Sequence, residues 1–297
     1  MSGRPTKRRA ASQWAVAWRR FRRNKSALIG TSIVAFFLIV AIFSQWLAPY
    51  PPRSYEPLYE GSAGTPPSWQ HPFGVESSGI DVFSEVIHGT RNDLYVGLTA
   101  AILTMIIGIV VGAIGGYFKG LVSELVLGVI QIFFVIPALL LILLFARIFL
   151  ALVFKGFGLT LIVLILSFFG WSGTAFIVRG ETLRVREMDF VQAARSLGAG
   201  SSRLLFRHIV PNILSPVIVI TTLDIAGFIL TEVIVSFLGF GDANTTTWGL
   251  LLNEGFSYLR TDWWVALFPG LAVVFSVLGF NLMGDGLSDA LNPRLRE

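Results

Sequence analysis

The chain has 297 residues, is 54% hydrophobic and 14% charged, carries a formal net charge of +5 and contains no cysteine; its mean hydropathy is +0.71. Soluble domains average about 25% charged residues, whereas Asp, Glu, Lys and Arg are missing here from 26–52, 94–118, 125–146, 156–178 and 263–284. A spanning helix needs about 20 apolar residues, so five such windows exclude a soluble globule, a disordered chain and a secreted disulfide scaffold. Their unbroken apolar character also excludes the alternating strands of a transmembrane β-barrel.

Residues 1–26 form a basic cytoplasmic tail. Within it Trp14, Trp18 and Phe21 recur at helical spacing among Arg19, Arg20, Arg22 and Arg23. This predicts a helix lying in the membrane interface, with arginines on anionic headgroups. Six spans follow: 27–48, 93–118, 121–148, 157–179, 213–239 and 265–287. The loop 49–92 between the first two is rich in Pro and Gly. On the second span Gly108, Gly112 and Gly116 repeat every four residues, a spacing that lets helices pack closely. Pro137 interrupts the third and is a candidate hinge.

Between spans four and five, the polar segment 180–212 reads as two short helices. Met188, Val191 and Ala194 fall on one face of the first, Arg186 to Leu197, and Gly198 stands where a left-handed cap favours glycine. Ser201 or Ser202 can cap the second, Arg203 to Ile209, which Pro211 stops from extending unbroken. Such an ordered basic knob predicts a docking surface. Span five carries Asp224 and Glu232. A charge at mid-bilayer costs about 2.5–3.5 kcal/mol, so both are expected on a translocation path or a subunit seam. The loop 240–264, span six and a short tail complete the chain.

Eighteen Lys and Arg fall in the N-terminal tail, the turn after span two, the 179–212 loop and the C-terminal tail, against five on the other side. Under the positive-inside rule both termini and the knob are cytoplasmic. Trp46, Trp263 and Trp264 then become outer interfacial anchors. This topology accounts for the basic charge without a nucleic-acid partner.

Motifs for catalysis are superficial. Gly170-Trp171-Ser172-Gly173 fits a GxSG serine-protease pattern, but the only later histidine, His208, lies in the polar loop. Gly239-Phe240-Gly241-Asp242 fits a GxGD aspartyl-protease pattern, yet the preceding span has no carboxylate to pair with Asp242. There is no GxxxxGK[ST] loop for nucleotide phosphates, and His71, His88 and His208 lack metal-ligand spacing. No catalytic residue, metal or bound cofactor is expected. An ion-driven carrier would favour inverted repeats, and neither it nor a stand-alone channel explains the knob.

Gln192-Ala193-Ala194, with Gly198 and Pro211 downstream, resembles the EAA loop of ABC importer permeases, Gln192 standing where that family usually has Glu. His71-Pro72-Phe73-Gly74 with Gly79-Ile80-Asp81-Val82 resembles a segment of the dipeptide/oligopeptide/nickel permeases. So do Ser236 to Gly241, Trp248-Gly249, Phe268-Pro269-Gly270, Gly279 to Leu287 and Asp289 to Arg294. The resemblance implies an all-α polytopic membrane protein of the type I importer permease kind, with one interfacial helix and six spans. It implies ATPase coupling through Asp189, Gln192, Ala193, Ala194, Leu197, Gly198, Ala199, Ser201 and Arg207, and contacts to a solute-binding protein through Gly74, Gly79 and Asp81 in the outer loop. Asp224, Glu232 and Pro137 are the path candidates. The implied partners are a homologous permease subunit, two ATPase subunits that hold ATP and Mg, an external solute-binding protein and membrane lipids. The implied setting is a prokaryotic inner membrane, and the implied cargo is di- or oligopeptides.

Overall fold

The computed structural model describes residues 13–53, 64–152 and 158–291. The start of the basic tail, Pro57, Gly61, Lys155, Asn292-Pro293-Arg294 and the side chain of Trp14 lie outside the described residues. Among those described, secondary structure is helical except for one isolated bridge between Val75 and Asp81.

Helix α1 (Gln13–Phe21) leads through a short turn into α2 (Lys25–Ile42), which Asn24 caps by accepting from Ala27 N at 3.2 Å. The Asn24 amide also donates to Asp289 at 3.1 Å, near the end of α12 (Trp264–Leu291). Phe21 packs with Ala27 and Ala290. The aromatic face predicted for lipid is therefore divided: Trp18 is exposed, whereas Phe21 is spent on the helix bundle. A one-turn helix, α3 (Ser44–Leu47), follows α2.

Helix α4 (Val82–Tyr117) has 36 residues, about 54 Å at the helical rise, and so reaches well past a hydrocarbon core of about 30 Å. It begins at Val82, earlier than the predicted 93, because Asp81 caps it through Ser84 N at 2.8 Å and its polar first turns are buried against other parts of the protein. The glycine repeat works as its spacing suggests. A Cβ on Gly108 would come within 2.7 Å of Thr174, and one on Gly116 within 2.6 Å of Thr182, both on α7 (Gly158–Arg186). The α4–α7 seam is thus closed by backbone contact.

The third predicted span is two helices, α5 (Leu121–Val135) and α6 (Ala138–Leu152), bent by 80° at Pro137. Proline restricts the residue before it to extended conformations, and Ile136 accordingly has φ −73° and ψ 128°. With α2, α4, α7, α12 and the long helix after the knob, this bent pair makes up to six spans.

In the knob, α8 (Asp189–Ser196) and the single turn α9 (Ser201–Arg203) run into a π-helical turn, Leu204–Ile209, and then α10 (Val210–Phe237). Gly200, not Ser201 or Ser202, holds the capping position. Pro211 does not stop the helix. A proline removes one N–H and crowds the carbonyl four residues back, and the turn before it is widened to π geometry, so Ser201–Phe237 is one helical run of 37 residues.

At the opposite end, residues 64–81 form a hook whose turn is closed by Glu76 N to Ile80 O at 2.9 Å and Gly79 N to Glu76 O at 2.8 Å. Gly74, at φ +80°, leaves room for the Trp264 indole, whose Nε1 donates to Val75 O at 3.3 Å. Trp264 is therefore a buried clasp for the hook, while Trp46 and Trp263 are exposed. Beside the hook lies α11 (Trp248–Ser257), and the core there joins α2, α4, α10, α11 and α12.

Candidate functional site

The knob presents two sides. Inward, Val191 is fully buried and Met188, Ala194 and Ala199 pack on a cluster made by α4, α7, the π turn and α10. The apolar face read from Met188, Val191 and Ala194 thus anchors α8 to the bundle. Outward stand Asp189, Ala193, Leu197, Gly198, Ser201 and Arg207, and Leu197 is 88% exposed.

The tip owes its shape to Gly198. Gly198 N donates to Arg195 O at 2.9 Å and Ala199 N to Ala194 O at 3.1 Å, the paired bonds of a Schellman end, with Gly198 at φ +84°. Gln192 turns back: its amide donates to Arg186 O at 3.2 Å and to Glu187 at 3.3 Å. A glutamate at this position would set acceptor against acceptor, so glutamine suits the neighbouring Glu187. Arg186 in turn donates to Gly116 O at 2.7 Å and Tyr117 O at 3.2 Å, satisfying the last carbonyls of α4. Gln192 therefore ties α8 to the last residue of α7 and to the linker residue Glu187, and Arg186 ties α7 to the end of α4 with two bonds.

Residues beyond the sequence candidates join this surface. Phe190 and Phe206 are exposed on either side of the tip; two aromatics in an otherwise basic segment were the available signal. Arg186 had none, since its role depends on where α4 ends.

Within the bundle, Asp224 lies at mid-helix on α10 and accepts from the Thr174 hydroxyl of α7 at 3.1 Å. Thr221, Asp224, Gly227 and Thr231 share one face at helical spacing, all partly or fully open. The Thr221 and Thr231 hydroxyls return to their own helix carbonyls. Among the described residues no Lys or Arg forms a salt bridge with Asp224. Glu232 is different: it has 0% exposure and sits at the junction of α10, α4 and α11. Pro137 is exposed at the α5–α6 bend.

In the hook, Asp81 is buried and fully engaged, with His71 Nδ1 at 2.8 Å and Ser84 N and Oγ on its other oxygen. Gly79, at φ +89°, is itself buried, as are Gly74 and Asp81, and the exposed residues of the turn are Ser77 and Ser78. Ser77 also donates to Asp262. Glu76 is buried at the hook's base, and burial pushes its carboxyl above the ordinary 4.5, against the lowering effect of Ser78. A raised native value means its contribution to stability is complete in acid below the unfolded value and is lost as pH climbs through the native one. Glu76→Gln is accordingly expected to raise thermal stability at neutral pH, an advantage that vanishes in acid. Parallel melting curves that keep the same separation at all pH values would refute this.

The protease-like motifs take structural roles. Gly170 is pressed against Phe228 and Thr104, and Asp242 closes a turn through Asn244 N and Thr245 Oγ1.

Comparison with known proteins bears on the whole chain. Residues 97–297 match a family described as binding-protein-dependent transport system inner membrane component. Residues 12–67 match the N-terminal TM domain of oligopeptide transport permease C. The chain is 35% identical over 291 residues to the oligopeptide transport system permease protein OppC of Bacillus subtilis (strain 168), covering 98% of this chain and 92% of that one. It is 35% identical over 292 residues to the dipeptide transport system permease protein DppC of the same organism, covering 98% and 88%. With the glutathione transport system permease protein GsiD of Escherichia coli O157:H7 it shares 36% identity over 284 residues, covering 95% and 91%.

Proposed function

This chain belongs to the family of binding-protein-dependent transport system inner membrane components, and from that membership we propose that it is one permease subunit of an ATP-driven importer for di- or oligopeptides. It pairs with a homologous permease, two cytoplasmic ATPase subunits that hold ATP and Mg, and an external solute-binding protein. Three relatives named for oligopeptide, dipeptide and glutathione transport support peptide cargo, since all three substrates contain peptide bonds. The excess of Lys and Arg beside the knob supports cytoplasmic termini and an outer hook.

The observation that carries this reading is the knob. Its outward face, from Asp189 through Leu197 to Arg207, is shaped by the Gly198 cap and tied by Gln192 and Arg186 to α7 and α4. When nucleotide closes the ATPase pair, a displacement of α8 is passed to α7 and through the glycine seam to α4, because close-packed elements shift together. The α5–α6 bend at Pro137 gives the bundle a place to absorb that shift. Gly79 and the hook tip lie on the outer side, where a binding protein would dock.

The face carrying Thr221, Asp224, Gly227 and Thr231 lines the path. Asp224→Asn is expected to cut uptake by about tenfold or more, the size of one charge-assisted hydrogen bond, with assembly intact. Normal uptake by a normally assembled variant would remove Asp224 from the path. The subunit reading itself is tested by purifying the tagged chain in mild detergent and identifying its companions by mass spectrometry. Recovery with ATPase chains and a second permease is expected. Isolation without any ATPase, under extraction shown to preserve a known ABC complex, would overturn it.

A further inference from the structure

Helices α2 and α12 meet backbone to backbone over the halves nearest α1. A Cβ on Gly30 would stand 2.6 Å from Met283 N and one on Gly279 2.7 Å from Ile33, and Gly286 lies against Ala27. Just beyond these contacts, Ser32, Ile33, Phe36 and Phe37 of α2 and Phe275 of α12 border a cleft of about 410 Å³. Phe36 and Phe275 are 61% and 48% exposed, and the Phe36 and Phe37 rings stand edge to face at 5.5 Å. The cleft therefore opens sideways from the bundle into hydrocarbon, and the Ser32 hydroxyl is the one polar side-chain group among its lining residues.

A stripe of side chains leads into it. Lys25, Ile29, Ser32 and Phe36 are all exposed and recur at the spacing of one helix face. From Lys25 to Phe36 is about 16 Å at the helical rise, close to one leaflet's share of a hydrocarbon core of about 30 Å. At the foot of the stripe Arg22 and Arg23 join Lys25. All three are exposed, and none forms a salt bridge among the described residues. Residues 13–25 also carry Arg19 and Arg20 and contain no acid. The facing end of α12 supplies Asp285 and Asp289, and Asp289 is already met by the Asn24 amide. The foot therefore keeps a positive excess.

We propose that the α2–α12 cleft and its basic foot form a binding site for one anionic phospholipid. The headgroup phosphate rests on Lys25, Arg22 and Arg23, and one acyl chain follows the stripe and ends in the cleft beside Phe275. Ammonium and guanidinium groups make charge-assisted hydrogen bonds to phosphate oxygens, and cations beside a span attract anionic lipids. The tail has a separate reason to enter. An unfilled cleft forfeits dispersion contacts along its walls, and a flexible chain adapts to an irregular opening. A helix of a neighbouring chain suits the foot poorly, because the positive-inside bias places Lys and Arg at its end on this side too. The site needs only α1, α2 and α12 in a bilayer, so it stands independently of the importer reading.

The test uses the complex as purified, reconstituted in phosphatidylcholine vesicles. One set carries a trace of phosphatidylglycerol with a photoreactive diazirine at the end of one acyl chain, and a parallel set carries phosphatidylcholine with the same label. After illumination, peptide mapping should find adducts on residues 32–37 and on Phe275, at least about fivefold more with phosphatidylglycerol, the size of one juxtamembrane cation's attraction. Arg22→Gln combined with Lys25→Gln should bring phosphatidylglycerol labelling down to the phosphatidylcholine level. Ser32→Phe, which fills the cleft from an exposed position, should cut adducts there by several-fold while the foot stays intact. Equal labelling by the two lipids in the wild type would make the cleft an unselective lipid contact and overturn the proposal. So would phosphatidylglycerol labelling unchanged in the cation variant, or adducts undiminished by Ser32→Phe. A cleft without lipid adducts whose residues crosslink to another chain would assign it to a protein helix instead. Should the cation variant fail to assemble, the wild-type lipid ratio and Ser32→Phe still decide.

Discussion

Gly198→Val is expected to cut ATP-driven uptake sharply while the chain still inserts in the membrane. Gly198 holds φ +84°, a region that costs an L-residue about 1–2 kcal/mol and is hardest on a β-branched side chain. Valine there breaks both closing bonds, Gly198 N to Arg195 O and Ala199 N to Ala194 O. Leu197 and Ser201 then lose their fixed positions on the outward face, although the inward anchor on Val191, Leu204 and Ile209 persists. Uptake into proteoliposomes containing the reassembled importer should fall by at least about tenfold, a loss of about 1.4 kcal/mol or more at the proposed coupling surface. Gly198→Asn is the control, because asparagine tolerates the left-handed region, and it should recover most of the rate. Equal uptake by the valine variant and the wild type would show that the Schellman end has no part in coupling.

Trp248→Ala destabilises the fold by about 3–5 kcal/mol, the usual range for a buried tryptophan. Trp248 has 0% exposure, stacks edge-on against Phe37 at 5.7 Å, covers Gly89 and donates from Nε1 to Val86 O at 3.1 Å. Its backbone N–H also donates to Asp93, so a collapse of α11 into the vacated space would disturb the tie between α11 and α4. Trp248→Phe retains most of the packing and loses mainly the indole hydrogen bond, with an expected cost of about 1–2 kcal/mol. Thermal unfolding of the three proteins in one detergent orders them wild type, phenylalanine, alanine. An alanine variant as stable as the phenylalanine one would mean that this junction contributes little to the fold.

Much of the architecture was legible in consecutive residues. Stretches without charge located the spans, because burying an unpaired charge in hydrocarbon is costly whatever the neighbours are. Breakers and caps acted locally too: Pro137 marked the α5–α6 break and Gly198 the end of α8, since both depend on the φ range of one residue. The four-residue glycine repeat on α4 announced a close helix contact without naming α7 as its partner. The motifs around the EAA-like segment and His71 to Asp81 pointed to the family to which residues 97–297 belong.

What the tertiary structure decided is which surfaces face one another. A leucine turned to lipid and one turned to a neighbouring helix have the same hydropathy, so neither the 80° bend nor the burial of Trp264 could be read from the chain. Asp93 and Trp248 are 155 positions apart, and the bond between them exists only because α4 and α11 meet there. Pro211 appeared to end a helix because local propensity counts its missing N–H, whereas packing of Leu205, Ile209 and Ile213 on the bundle holds the helix together through a widened turn. Where the chain crosses the membrane and where it must turn follow from local costs, because each is set residue by residue. The buried contacts that position the knob and the Asp224 face were decided in three dimensions, where each side chain's environment is set by residues far away in the chain.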